Sequence, residues 1–142
     1  MRQLSQSATP LVIRTDFENE QAWAAICERI RAPVHERSYT FYAHVDFLDD
    51  TEFRNLTLED LLALLPSGYG HSFLFVVDSV AADHREHPIL VVDVGESRGR
   101  SFRAIPSQVQ GIENNLSTAN MDFEEFAQAV DSDGIFRGFQ RS

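Results

Sequence analysis

The chain carries a single cysteine, Cys27, so no disulfide can close within it. A lone thiol points to a reducing compartment. Long apolar runs are missing too: none approaches the roughly eighteen residues needed to span a bilayer. Residues 1–10 are polar and lack the apolar stretch of a secretory signal. The expected location is the cytoplasm, so the triplets Asn55-Leu56-Thr57 and Asn115-Leu116-Ser117 are read as chance matches to a glycosylation site.

Positive charge is scarce. The chain has 12 Lys plus Arg against 22 Asp plus Glu, a net charge of −10. A protein that sits on phosphates carries a basic stripe. The nearest thing here is Arg98, Arg100 and Arg103, separated by Gly, Ser and Phe in what looks like a hairpin tip. Nucleic acid and anionic membranes are therefore not expected partners.

Several catalytic and metal signatures are also absent. No Gly-x-Ser-x-Gly elbow occurs, and no glycine loop is placed to cradle a phosphate. Cys27 shares a helical face with Trp23 and Ile30, which makes it a small core residue. His84 and His87 stand beside Asp83 and Glu86, but zinc needs three or four converging ligands and no others are placed to join them. The run Asp131-Ser132-Asp133-Gly134 echoes a calcium loop in the wrong register. A loop placed on that glycine would begin at Ala129 and end at Gln140, where acids are required.

What is present is an ordinary domain's worth of core. Of the 142 residues, 43% are hydrophobic, and a chain of this length buries roughly two-thirds of its unfolded surface. Residues 1–10 are read as a flexible tail and 11–142 as a single α/β domain. Leu11, Val12 and Ile13 open a strand. Asn19 is the expected cap of a helix whose apolar face is Trp23, Ile26, Cys27 and Ile30, stopped by Pro33. Residues 39–47 alternate, with Tyr39, Phe41, Ala43, Val45 and Phe47 on one side, which predicts one half-buried strand.

Thr57 and Asp60 form a capping-box pattern ahead of Leu58, Leu61, Leu62 and Leu65. Residues 73–77 and 89–94 are continuous apolar runs of the kind buried on both faces, joined by a polar connection at 78–88. Residues 95–100 form a hairpin loop into a strand at 101–105. Ser107 with Gln110, and Asp122 with Glu125, are two further capping-box patterns, the second with Met121 positioned to staple onto Phe126. The order is β-α-β-α-β-β-β-α-α. It predicts a mixed sheet of five to six strands, three parallel and then an antiparallel hairpin, with helices packed on it.

That topology gathers acids. Asp16, Asp46, Asp49, Asp50 and Asp78 all fall near the carboxyl ends of the three expected parallel strands, where open α/β sheets bind ligands. Converging carboxylates suit Mg²⁺. The competing reading is that Asp follows strands because it caps helices and makes turns. The amides Asn114, Asn115 and Asn120 form a second candidate, either a polar binding loop or partners for backbone groups at helix ends.

Five segments are familiar together: Leu11-Val-Ile-Arg-Thr-Asp-Phe17, Val45-Asp-Phe-Leu-Asp-Asp50, His87-Pro-Ile-Leu-Val-Val-Asp93, the 114–126 block and Gly134-Ile-Phe-Arg-Gly138. With them the chain resembles an uncharacterised bacterial family of small proteins, classed as a domain of unknown function. The resemblance covers nearly everything after residue 10 and implies no activity, cofactor or partner.

The first functional expectation is a non-catalytic acidic binding or regulatory module that recognises a basic protein, without a cofactor. The alternative is a divalent-metal-dependent enzyme using Mg²⁺ at the acidic strand ends. A homodimer is a further possibility, since symmetric pairs are common.

Overall fold

The computed structural model describes residues 8–139. The tail expected at residues 1–10 lies largely outside them. Pro10, however, is buried and its carbonyl accepts the Asp46 N–H at 2.9 Å, so ordered packing begins before the first strand.

A six-stranded mixed sheet organises the chain, in the order β4-β1-β5-β6-β7-β8. Its second strand β1 (Leu11–Arg14) runs parallel to the edge strand β4 (Asp46–Leu48) on one side and to β5 (Phe73–Val77) on the other. The three expected parallel strands are therefore present. Strands β6 (Ile89–Asp93) and β7 (Ser101–Ala104) form the expected antiparallel hairpin beside β5. A short β8 (Ile135–Phe136), parallel to β7, closes the sheet.

Alternating side chains of the strands feed two cores. On one face Val12, Phe73, Phe75, Val77, Phe102 and Phe136 pack with Trp23, Ile26 and Ile30 of α1 (Glu20–Arg31). Ala81 of α3 (Ser79–Asp83), Ile112 of α4 (Val109–Ser117) and Phe126 of α5 (Phe123–Ala127) complete that layer. On the other face Leu11, Ile13, Leu74, Val76 and Val92 meet Phe53 and the leucines of α2 (Leu58–Leu64).

Local chemistry sets the helix boundaries. Asn19 accepts the Ala22 N–H, and Ala32, the residue before Pro33, turns extended and stops α1. Both reciprocal capping boxes, Thr57 with Asp60 and Asp122 with Glu125, are formed. The third expected box is not. Ser107 falls within a 3₁₀ turn at Pro106–Gln108, and α4 starts without any side-chain cap. The connection expected to be polar coil at 78–88 contains α3, because Asp78 caps it and Ala81 and Ala82 are buried.

The largest departure concerns residues 39–47. They form two elements rather than one strand. Tyr39–Phe41 (β3) pairs with Val34–Glu36 (β2) in a separate two-stranded sheet, and β4 then joins the main sheet. Between them the His44 N–H is taken by Glu113 Oε1 at 2.9 Å, which detaches the backbone from any continuous ladder. Ala43, Val45 and Phe47 pack on the core as expected, whereas Tyr39 and Phe41 are exposed.

Candidate functional site

The chain contains no lysine, so its twelve strongly basic side chains are all arginines. Arginine presents a planar fork that matches a carboxylate through two hydrogen bonds. Where these forks sit decides which of the many carboxylates are already neutralised.

At the carboxyl end of the parallel strands, most are. Connections leave β1 over one face, into α1, and leave β4 over the other, into α2. Between these ends lies the crevice where such sheets bind ligands. It is filled by Arg14, whose guanidinium is 2% exposed. Two of its nitrogens donate to Glu20, at 2.6 and 3.3 Å, one also reaches Asp49 at 3.2 Å, and Nε donates to the Asp16 carbonyl at 2.9 Å. Phe17 and Trp23 stack on it. Burial pulls the Arg14 pKa down, but the bonds to Glu20 and Asp49 outweigh it and hold the pKa above the ordinary value. Arg14 in turn holds Glu20 below the usual carboxylate range.

The five aspartates expected to gather here take separate roles. Asp46 is the first residue of β4, at the opposite end of the sheet from the carboxyl edge where it was expected. Moving the strand start from 39 to 46 reverses its position. Asp50 accepts the Glu52 N–H and caps a 3₁₀ turn. Asp78 caps α3 and takes the Arg103 fork at 2.7 and 3.0 Å. Asp49 belongs to Arg14. Asp16 is buried at 8% exposure, and its Oδ2 has no hydrogen-bond partner among the described residues. Among the described residues, no three His, Cys, Asp or Glu side chains gather in a way that could hold a metal ion.

Beside Arg14, between α1 and β4, runs an open groove of about 750 Å³ floored by Trp23, Cys27 and Phe47. Burial pushes the Cys27 thiol up to about 11, so it is protonated at neutral pH and a poor nucleophile. Arg31 lies over Phe47 at 4.3 Å, adding a cation–π contact to the rim.

The opposite end of the sheet differs. There the β6–β7 hairpin and the start of α5 enclose a groove of about 340 Å³. Its lining includes Asp93, Glu96, Asp122 and Glu125, with Asn120 and Ser72, and no basic residue among the described residues. Local bonds hold the acids in place. Asp93 accepts the Gly95 and Ser97 N–H groups, and Asp122 and Glu125 form the capping box. Arginines nearby are turned elsewhere: Arg100 pairs with Glu124, and Arg98 donates to the carbonyls of Leu62 and Val94.

The Asn115 side chain donates to the Gly111 carbonyl at 2.8 Å, and the main-chain carbonyl of Asn114 accepts from the Thr118 hydroxyl at 2.8 Å. Asn120 donates to Asn115 Oδ1 at 2.7 Å and lines the acidic groove. Sequence reasoning passed over Arg14, although an arginine closing the apolar run Leu11-Val-Ile was a visible signal for a buried ion pair. It also passed over Asp93 and Glu96, whose proximity to α5 depends on sheet pairing.

No helix among the described residues is long and apolar enough to cross a membrane. Comparison with curated proteins and with solved structures finds no match. The model of one family, a domain of unknown function designated DUF6924, matches residues 9–139, and the chain belongs to that family.

Proposed function

We propose that the protein is a non-catalytic, cytoplasmic binding or regulatory module whose acidic groove takes a basic segment of a partner protein. The observation that carries this reading is the lining of that groove, where Asp93, Glu96, Asp122 and Glu125 meet with no arginine among the described residues that line it. An arginine or lysine side chain supplies the missing charge, and the Asn120 amide adds a polar contact. Backbone bonds already hold three of the carboxylates, which lowers the ordering cost of binding. The net charge of −10 steers a basic partner toward the molecule. The protonated, buried Cys27 fits the non-catalytic reading.

The test is to titrate the full chain with a labelled oligo-arginine peptide and follow anisotropy at several salt concentrations. Binding is expected at low salt and should weaken as salt rises. Because any acidic protein attracts such a peptide, the decisive comparison is between two charge reversals. Glu96→Lys, in the groove, should weaken binding several-fold more than Glu28→Lys on α1. Equal effects, or no binding at low salt, would overturn the proposal.

A further inference from the structure

The β2–β3 hairpin stands apart from both cores. Every residue of β3 is exposed, and β2 runs from half-buried to exposed. Of the five large hydrophobic residues exposed among the described residues, Tyr39, Phe41 and Tyr42 lie within four positions of one another. Isolated two-stranded hairpins are marginal in water, and clustered exposed aromatics mark an interaction surface.

Charge and geometry select the occupant. Residues 32–45 contain one acid, Glu36, and one strongly basic residue, Arg37, so the hairpin is a neutral stretch on a chain of net charge −10. A basic partner finds no complement there. A second copy of the chain is repelled over most of the surface and can approach at a neutral patch. The edge is also self-complementary. His35 pairs with Thr40, the second pair from the two-residue turn. In such a hairpin the pair next to the turn exchanges its hydrogen bonds inward, and the next pair points its N–H and C=O outward.

We infer that the chain forms a two-fold homodimer by pairing β3 with β3 of a second copy, antiparallel about Thr40. The outward N–H and C=O of Thr40 then bond the same groups of the copy, and each Tyr39 faces the other chain's Phe41. Tyr39 and Phe41 already lie together on one face, with ring centroids 6.3 Å apart. Pairing makes a four-stranded sheet with four rings on that face, an isologous contact of the strand-addition type.

Sedimentation equilibrium of the full chain over a concentration series tests this. The expected mass moves from 16.1 kDa toward twice that value as concentration rises. Added salt should favour the dimer by screening the repulsion, the reverse of its effect on a basic partner, so this inference and the proposed function fail independently. Thr40→Pro removes the central N–H. The double variant Tyr39→Glu with Phe41→Glu places four carboxylates together and leaves the backbone intact. Both should stay at 16.1 kDa where the unaltered chain is dimeric, with an unchanged far-ultraviolet spectrum for the double variant. A monomer mass at every concentration and salt, or a dimer that survives the double variant, would overturn the inference.

Discussion

The guanidinium of Arg14 is 2% exposed, yet the Glu20 carboxylate that grips it through both oxygens is 76% exposed. One partner is inside the protein and the other in water. Removing the inner partner empties a packed site, whereas removing the outer one leaves Asp49 to pair the buried charge. Arg14→Ala loses the packed stem, the stacking on Phe17 and Trp23, and the bond to the Asp16 carbonyl. We expect a loss of about 3 kcal/mol in urea unfolding. Glu20→Gln leaves Asp49 to hold the charge and should cost distinctly less. Equal losses would mean that Arg14 does not act as the buried member.

Arg137 gathers Glu86, Asp131 and Asp133 within 2.9 Å. It holds Glu86 and Asp133 below their ordinary values of 4.5 and 3.8. Their folded pKa values are depressed, so their stabilisation is full above the unfolded values and disappears as pH falls through the folded ones. The melting-temperature gap between the unaltered chain and Arg137→Gln should be constant near neutrality and narrow below about pH 4.5. A gap that does not change with pH would contradict this account.

Cys27 is 5% exposed and its thiol titrates near 11. Alkylation of the native chain at pH 7 to 8 should be slow, and addition of denaturant should raise the rate to that of a free thiol. Rapid labelling of native protein would show that the α1–β4 groove opens to the thiol.

Two expected capping boxes, one formed and one not, make a matched pair. Asp122→Ala removes the bond to the Glu125 N–H and should cost about 1 kcal/mol. Ser107→Ala, where α4 starts without a side-chain cap, should change stability by less than about 0.5 kcal/mol. Chemical denaturation of both variants reads the difference directly.

Much of this fold is written in short-range chemistry. Asn19, Thr57 and Asp122 cap because their side chains reach backbone N–H groups three residues away. The runs 73–77 and 89–93 are strands because continuous β-branched and aromatic residues fit a sheet buried on both sides. The parallel arrangement of β1, β4 and β5 follows from the helices between them.

What was illegible depends on contacts between distant parts of the chain. A period of two shows that side chains alternate, but not that the backbone keeps one partner. At His44 the partner is Glu113, 69 residues away, and it splits the alternating stretch in two. Asp46 moved to the other end of the sheet as a result, and the expected acidic edge came apart. Which carboxylates remain unneutralised is likewise a matter of where arginines from other elements reach. Arg103 crosses from β7 to Asp78, Arg137 from beyond β8 to Glu86, and no arginine among the described residues lines the groove of Asp93, Glu96, Asp122 and Glu125. Net charge is a sum over residues and can be read from composition. A charged groove exists only where folding brings like charges together, because the placement of each counter-ion is set by packing.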